Sequence, residues 1–129
     1  MLEIKNLTKI YPNGKKAVSN LSMTVADGDL CGFIGKNGAG KTTTLKACLT
    51  IHDFETGDIL LNGLSIKSAP TECKRKMAYV PDTPILETYL TGLQYLNFIC
   101  DIYEVPTHTR RKRIDYLSNC LGMNNKLND

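Results

Sequence analysis

Apolar and polar positions alternate at the start of the chain. Leu2, Ile4, Leu7 and Ile10 mark residues 2–11, and the two-residue period at the outset predicts a half-buried strand. Pro12-Asn13-Gly14 carries turn chemistry, and residues 17–26 read as a second strand. Asp27-Gly28 then closes a tight turn into Leu30-Cys31-Gly32-Phe33-Ile34, a short apolar run of the kind that forms a buried strand. The opening therefore predicts an antiparallel layer leading into a buried strand, with a helix over residues 41–47. Further on, a short strand around 58–61 runs into Asn62-Gly63, the dipeptide that favours a tight hairpin. Pro70 suits the first turn of a short helix over 70–76, and Met77-Ala78-Tyr79-Val80 reads as a strand stopped by Pro81.

From residue 91 the period lengthens. Leu93, Leu96, Ile99, Ile102 and Tyr103 share one helical face, and Thr91 followed by Gln94 makes a capping box. Val105-Pro106 breaks this helix, Thr107 is placed to cap a second one, and Gly122 to end it. No internal repeat or low-complexity segment interrupts the pattern.

Composition adds limits. A chain of 129 residues with 42% hydrophobic and 22% charged residues is an ordinary soluble domain, or part of one. The net charge of +3 is too small to argue for nucleic acid. The basic run Arg110-Arg111-Lys112-Arg113 precedes Ile114, Leu117 and Leu121 at helical spacing, so it reads as a solvated helix face. Cys31, Cys48, Cys73, Cys100 and Cys120 form no CxxC pair and lie mostly in apolar stretches. Buried, reduced thiols are expected, without a zinc or disulfide framework. No secretory signal and no apolar run near 18 residues occurs, so the chain is expected neither to enter nor to span a membrane by itself. His52 and His108 read as surface or loop residues.

The chemistry is concentrated in Gly35-Lys36-Asn37-Gly38-Ala39-Gly40-Lys41-Thr42, a complete GxxxxGK[ST] pattern between an apolar run and a predicted helix. Gly35, Gly38 and Gly40 let the backbone wrap a phosphate with N–H groups pointing inward. The helix from Lys41 adds unpaired amides and its positive dipole end. Lys41 is expected to reach the β- and γ-phosphates of a nucleoside triphosphate, and the Thr42 hydroxyl to ligate Mg²⁺. Thr43 is placed for the α-phosphate.

With these segments laid out, the chain resembles the ATP-binding cassette (ABC) ATPases. The resemblance is carried by residues 2–11, 28–42, Thr56-Gly57-Asp58-Ile59-Leu60-Leu61-Asn62-Gly63 and Tyr79-Val80-Pro81-Asp82, and it covers essentially all 129 residues but only the family's N-terminal half. It implies an α/β P-loop NTPase fold: an antiparallel β-subdomain, an incomplete parallel-sheet core and the start of a helical subdomain. The first part would occupy residues 1–90 and the helical subdomain would begin over 91–129. It also implies that Tyr11 stacks on adenine, that Val18 lies beside the ribose, and that ATP and Mg²⁺ are the ligands. The implied partners are a separate transmembrane permease subunit, met near residues 84–90, and a second ATP-binding domain. The implied location is the inner face of the cell membrane. Asp82 stands where the family usually has Gln near the metal, and its carboxylate suits Mg²⁺ only with the metal between it and the γ-phosphate.

The family's acidic catalytic strand, its signature and its switch His have no counterpart in these residues. Leu90-Thr91-Gly92-Leu93-Gln94 imitates the signature but reads as a helix cap. Phe98-Ile99-Cys100-Asp101 imitates the acidic strand but sits in the helical period. Asn125-Lys126-Leu127-Asn128 nearly matches a guanine reader but lacks the final carboxylate. ATP binding is therefore the expected activity and efficient turnover by this chain alone is not. A non-catalytic nucleotide-binding fragment and a soluble, non-transport ABC ATPase are the alternatives. An incomplete parallel sheet would leave the strands at 30–34 and 77–80 without some neighbours, which predicts a marginally stable or aggregation-prone species for the chain alone.

Overall fold

The first two strands, β1 (Leu2–Ile10) and β2 (Lys16–Val25), form an antiparallel hairpin in the computed structural model, which describes residues 1–83 and 89–128. Its turn is fixed by two backbone bonds, Gly14 N–H to Tyr11 O at 2.8 Å and Tyr11 N–H to Lys15 O at 2.9 Å. Asn13 Oδ1 accepts the Lys15 N–H at 3.1 Å. Pro12 presets the bend, and Gly14 takes the left-handed conformation that closes it.

The alternation in β1 breaks between Ile4 and Leu7, for a local reason. Ile4 and Leu7, three residues apart, are both buried. Asn6 lies between them at φ +50°, where the register with β2 shifts, and such a bulge turns both apolar side chains to one face. Ser22 holds the bulge: its Oγ accepts the Asn6 N–H at 2.9 Å and pairs with Asn6 Oδ1 at 3.1 Å.

Strands β3 (Thr56–Leu61) and β4 (Leu64–Ser65) complete an antiparallel sheet of order β2-β1-β3-β4. Asn62 and Gly63, both at positive φ, make their two-residue turn, as the dipeptide predicts. Helices α1 (Lys41–Cys48) and α2 (Pro70–Lys74) belong to the same unit, Met1–Tyr79. Ile4, Leu7, Val18 and Ile59 from the sheet form one core with Ala47 and Cys48 of α1 and Cys73 of α2.

Residues 30–34 and 77–80 depart from expectation, since neither run is a strand. A strand exists through hydrogen bonds to a neighbour, and no described segment pairs with either run. Leu30, Ile34 and Val80 stand in solvent at 103%, 95% and 88% exposure.

The second unit, Val80–Asp129, is helical. Among the described residues its helices are α3 (Gly92–Ile102) and α4 (Thr107–Cys120), followed by a 3-10 turn at Asn124–Lys126. The capping box is present: Thr91 Oγ1 accepts the Gln94 N–H at 3.3 Å and Gln94 Oε1 accepts the Thr91 N–H at 2.9 Å. The signature-like and strand-like decoys thus lie at the cap and within α3. Thr107, however, is the first helical residue rather than the cap. Pro106 O already accepts the Thr109 and Arg110 N–H groups, so the helix begins one residue before a Thr107 cap would act.

Two side-chain expectations also change. Arg111, Lys112 and Arg113 are exposed, but Arg110 turns inward, pairing with Asp101 at 2.8 Å and donating to Val105 O at 2.9 Å. Cys48 and Cys73 are buried, whereas Cys31 and Cys120 are exposed. All five cysteines are free thiols. Cys31 is exposed because the run that carries it finds no partner strand. No helix among the described residues is long and apolar enough to cross a membrane.

Candidate nucleotide site

The loop meets the sheet at Gly40, the residue before α1. Gly40 has φ +91°, and a Cβ there would sit 2.2 Å from Ala17 O and 3.2 Å from Val18 Cγ2. Only glycine allows this approach to β2. Val18, 8% exposed, is buried against Gly40 and belongs to the core.

No side chain caps α1, and its first turn holds no acidic residue. The helix therefore presents its positive end without a built-in anion. Thr44 turns inward, its Oγ1 donating to Gly40 O at 2.9 Å. Thr42 is exposed and Thr43 half-buried.

Gly35, Lys36, Asn37, Gly38 and Ala39 are exposed, and Ala39 N–H donates to Lys36 O at 3.1 Å. The Lys41 ammonium lies back over this turn, donating to Lys36 O at 2.9 Å and to Gly35 O. A phosphate oxygen is a stronger acceptor for an ammonium than a neutral carbonyl. The lysine is thus already at the loop and needs only to exchange acceptors.

Tyr11, at the hairpin end of β1, reaches the same helix. Its Oη lies 3.0 Å from Thr43 Oγ1. A hydroxyl carries one donor and two acceptor positions, so Thr43 can accept from Tyr11 and still donate to an anion. The Tyr11 ring also meets His52 edge-on, with centroids 6.1 Å apart and planes at 86°. Lys9 Nζ lies 5.8 Å from the ring centroid and pairs with Glu55 Oε1 at 3.1 Å. The Ile10 N–H, donated to Glu55 Oε2 at 2.6 Å, is the main influence holding that carboxyl below its ordinary range, and Lys9 adds to it.

The structure therefore brings Tyr11, Val18, Gly40, Lys41 and Thr43 around one end of α1. Around the Tyr11 ring it adds His52 and Lys9, the latter paired with Glu55, none of which the sequence marks as site residues. Lys9, in β1, sits two residues before Tyr11, which lies just past the end of that strand. Asp82 is an exposed bend residue of the second unit. Residues 84–88 of the expected docking segment 84–90 lie outside the described residues, and Tyr89 is exposed.

Among the described residues no group of three or more His, Cys, Asp or Glu side chains could hold a metal ion. A metal here would take the Thr42 hydroxyl together with oxygens of its ligand. That all-oxygen set suits Mg²⁺, which keeps several waters and binds phosphates readily.

The family model described as ABC transporter matches residues 18–129. The choline transport ATP-binding protein OpuBA of Bacillus subtilis (strain 168) is 33% identical over 124 residues, which is 95% of this chain and 32% of that protein. The ABC-type transporter ATP-binding protein EcsA of the same organism is 32% identical over 127 residues, 98% of this chain and 51% of that protein. A solved structure of an ATP binding subunit of an ABC transporter superposes with a TM-score of 0.91 at 28% identity, covering 100% of this chain and 53% of the other. The chain thus spans about a third to a half of the length of these relatives. With a phosphate-loop P-loop NTPase fold and these matches, the chain belongs to the ABC transporter family.

Proposed function

We propose that this chain binds Mg–ATP at residues 35–43, as the N-terminal portion of the ATP-binding subunit that energises an ABC transporter. The observation that carries the reading is the uncapped, acid-free start of α1, joined to a glycine-rich turn with the Lys41 ammonium lying over it. Backbone amides and the helix dipole would hold the β-phosphate, and Lys41 would bridge to the γ-phosphate. Thr42 and the phosphate oxygens would hold Mg²⁺, which supplies charge neutralisation there. Tyr11 would carry adenine on its ring, a π contact available to any base, with Val18 below the ribose.

The wider role follows from the relatives, several of which are described as transport ATP-binding proteins. The permease would be a separate membrane subunit, and a second ATP-binding domain would complete the nucleotide sites. The working location would be the inner face of the cell membrane.

Calorimetry with Mg–ATP on folded chain tests the reading. Binding should be measurable in the native chain and about 10- to 100-fold weaker in Lys41→Ala, the loss of one charge-assisted hydrogen bond of about 1.5–3 kcal/mol. Absence of heat with folded native protein, or equal affinity in the variant, overturns it.

A further inference from the structure

We infer that His52 is a positioning residue for the ring of Tyr11, and through it for nucleotide affinity; this rests on the Mg–ATP reading above. Tyr11 is touched both by α1 and by the segment that follows it. At the N-terminal end, Thr43 Oγ1 meets the Tyr11 hydroxyl at 3.0 Å. Beyond the C-terminal end, the His52 ring meets the Tyr11 ring edge-on at 6.1 Å. The helix that presents the phosphate loop and the fold-back that follows it therefore hold the aromatic platform at two points.

His52 is itself held in place. The chain leaves α1 through a reversal in which Thr50 N–H donates to Ala47 O at 3.0 Å, and Ile51 and His52 N–H groups donate to Lys46 O at 2.9 and 3.3 Å. Thr50 adopts φ +55° to make it, which satisfies the last carbonyls of the helix. This fold-back delivers the imidazole to a tyrosine 41 positions earlier in the chain. The backbone of Tyr11 is fixed by the hairpin turn, which leaves the ring torsions as its remaining freedom.

A stacking platform already held in one orientation costs less to order on binding. Edge-to-face aromatic pairs contribute on the scale of a few-fold to tenfold in an equilibrium constant. Since His52 acts on the ring, its effect belongs to ligands that carry a base. A bare triphosphate, held by the loop and Lys41, should not sense it.

The experiment is calorimetry on the 129-residue chain with Mg–ATP and with Mg–tripolyphosphate. The proteins are native, His52→Ala, His52→Phe, Tyr11→Ala and the Tyr11→Ala/His52→Ala double variant, each checked for fold by circular dichroism. His52→Ala should weaken Mg–ATP about three- to tenfold and leave Mg–tripolyphosphate unchanged. His52→Phe, which keeps an aromatic edge, should restore most of the loss. On the Tyr11→Ala background, removal of His52 should have no further effect.

Native-like Mg–ATP affinity in His52→Ala overturns the inference. So does equal loss with both ligands, or a loss that persists without Tyr11. If the folded native chain binds neither ligand, the nucleotide reading itself falls and takes this inference with it. If native protein binds both and His52→Ala changes neither, only the positioning role is lost.

Discussion

Thr50 carries two costs at once. It is β-branched at φ +55°, where L-residues lose about 1–2 kcal/mol, and its Oγ1 is buried with no hydrogen-bond partner among the described residues. Its conformation persists because the end of α1 needs a left-handed residue there. Thr50→Gly keeps the geometry, relieves the steric cost and removes the orphan hydroxyl. Glycine's added freedom in the unfolded chain returns about 1 kcal/mol of that gain. The variant should therefore be more stable by about 1 kcal/mol, read from urea or thermal unfolding; equal or lower stability would contradict the account. The same position explains why His52 reads from sequence as a surface or loop residue. Its contact with Tyr11 depends on a threonine adopting a conformation that propensity assigns to glycine or asparagine. Cys48 is the opposite case, since its apolar surroundings were visible in the sequence. Burial pushes its thiol up to about 11 despite a backbone hydrogen bond that lowers it, so at neutral pH it is an inert core group.

At the scale of elements, local chemistry and hairpin pairing were legible and pairing between distant segments was not. The phosphate loop, the Asn62-Gly63 turn and the α3 cap each depend on residues within a few positions of one another. Gly122 likewise ends α4 as predicted: at φ +64° it donates to Asn119 O at 3.1 Å, and the Met123 N–H reaches Ser118 O at 2.8 Å. Residues 30–34 have the composition of a strand, yet a strand is completed by another segment's amides and carbonyls, which their own sequence cannot supply. The bulge at Asn6 was hidden for a similar reason, because Ser22 across the hairpin stabilises it. The α3 cap offers the direct test at this scale. Thr91→Ala removes the acceptor for the Gln94 N–H and should cost about 1 kcal/mol. Faster hydrogen exchange in the first turn of α3 would report that loss, while Thr91→Ser should retain protection. Unchanged exchange in Thr91→Ala would show that the capping box contributes nothing to the helix.

For the whole molecule, the balance of buried and exposed apolar surface sets the behaviour. The largest fully buried side chains among the described residues are Leu7, Ile59 and Cys73, a small core for a chain of 129 residues. Leu30 and Ile34 meanwhile lie almost wholly in water. Exposed apolar residues on a segment with unpaired backbone groups invite intermolecular pairing. The chain should therefore self-associate with rising concentration, as read by light scattering, and Leu30→Thr/Ile34→Thr should shift that association to higher concentration. A native chain that stays monomeric, or a double variant that associates equally, would remove this run as the cause. The run also ends immediately before Gly35, so whatever pairs with it restrains the first residue of the phosphate loop. Ordering that segment in advance reduces what nucleotide binding must itself order. A partner strand that suppresses self-association should then also tighten Mg–ATP binding. If association falls while Mg–ATP affinity stays constant, the run and the loop are independent, and the loop's geometry rests on Gly40 and α1 alone.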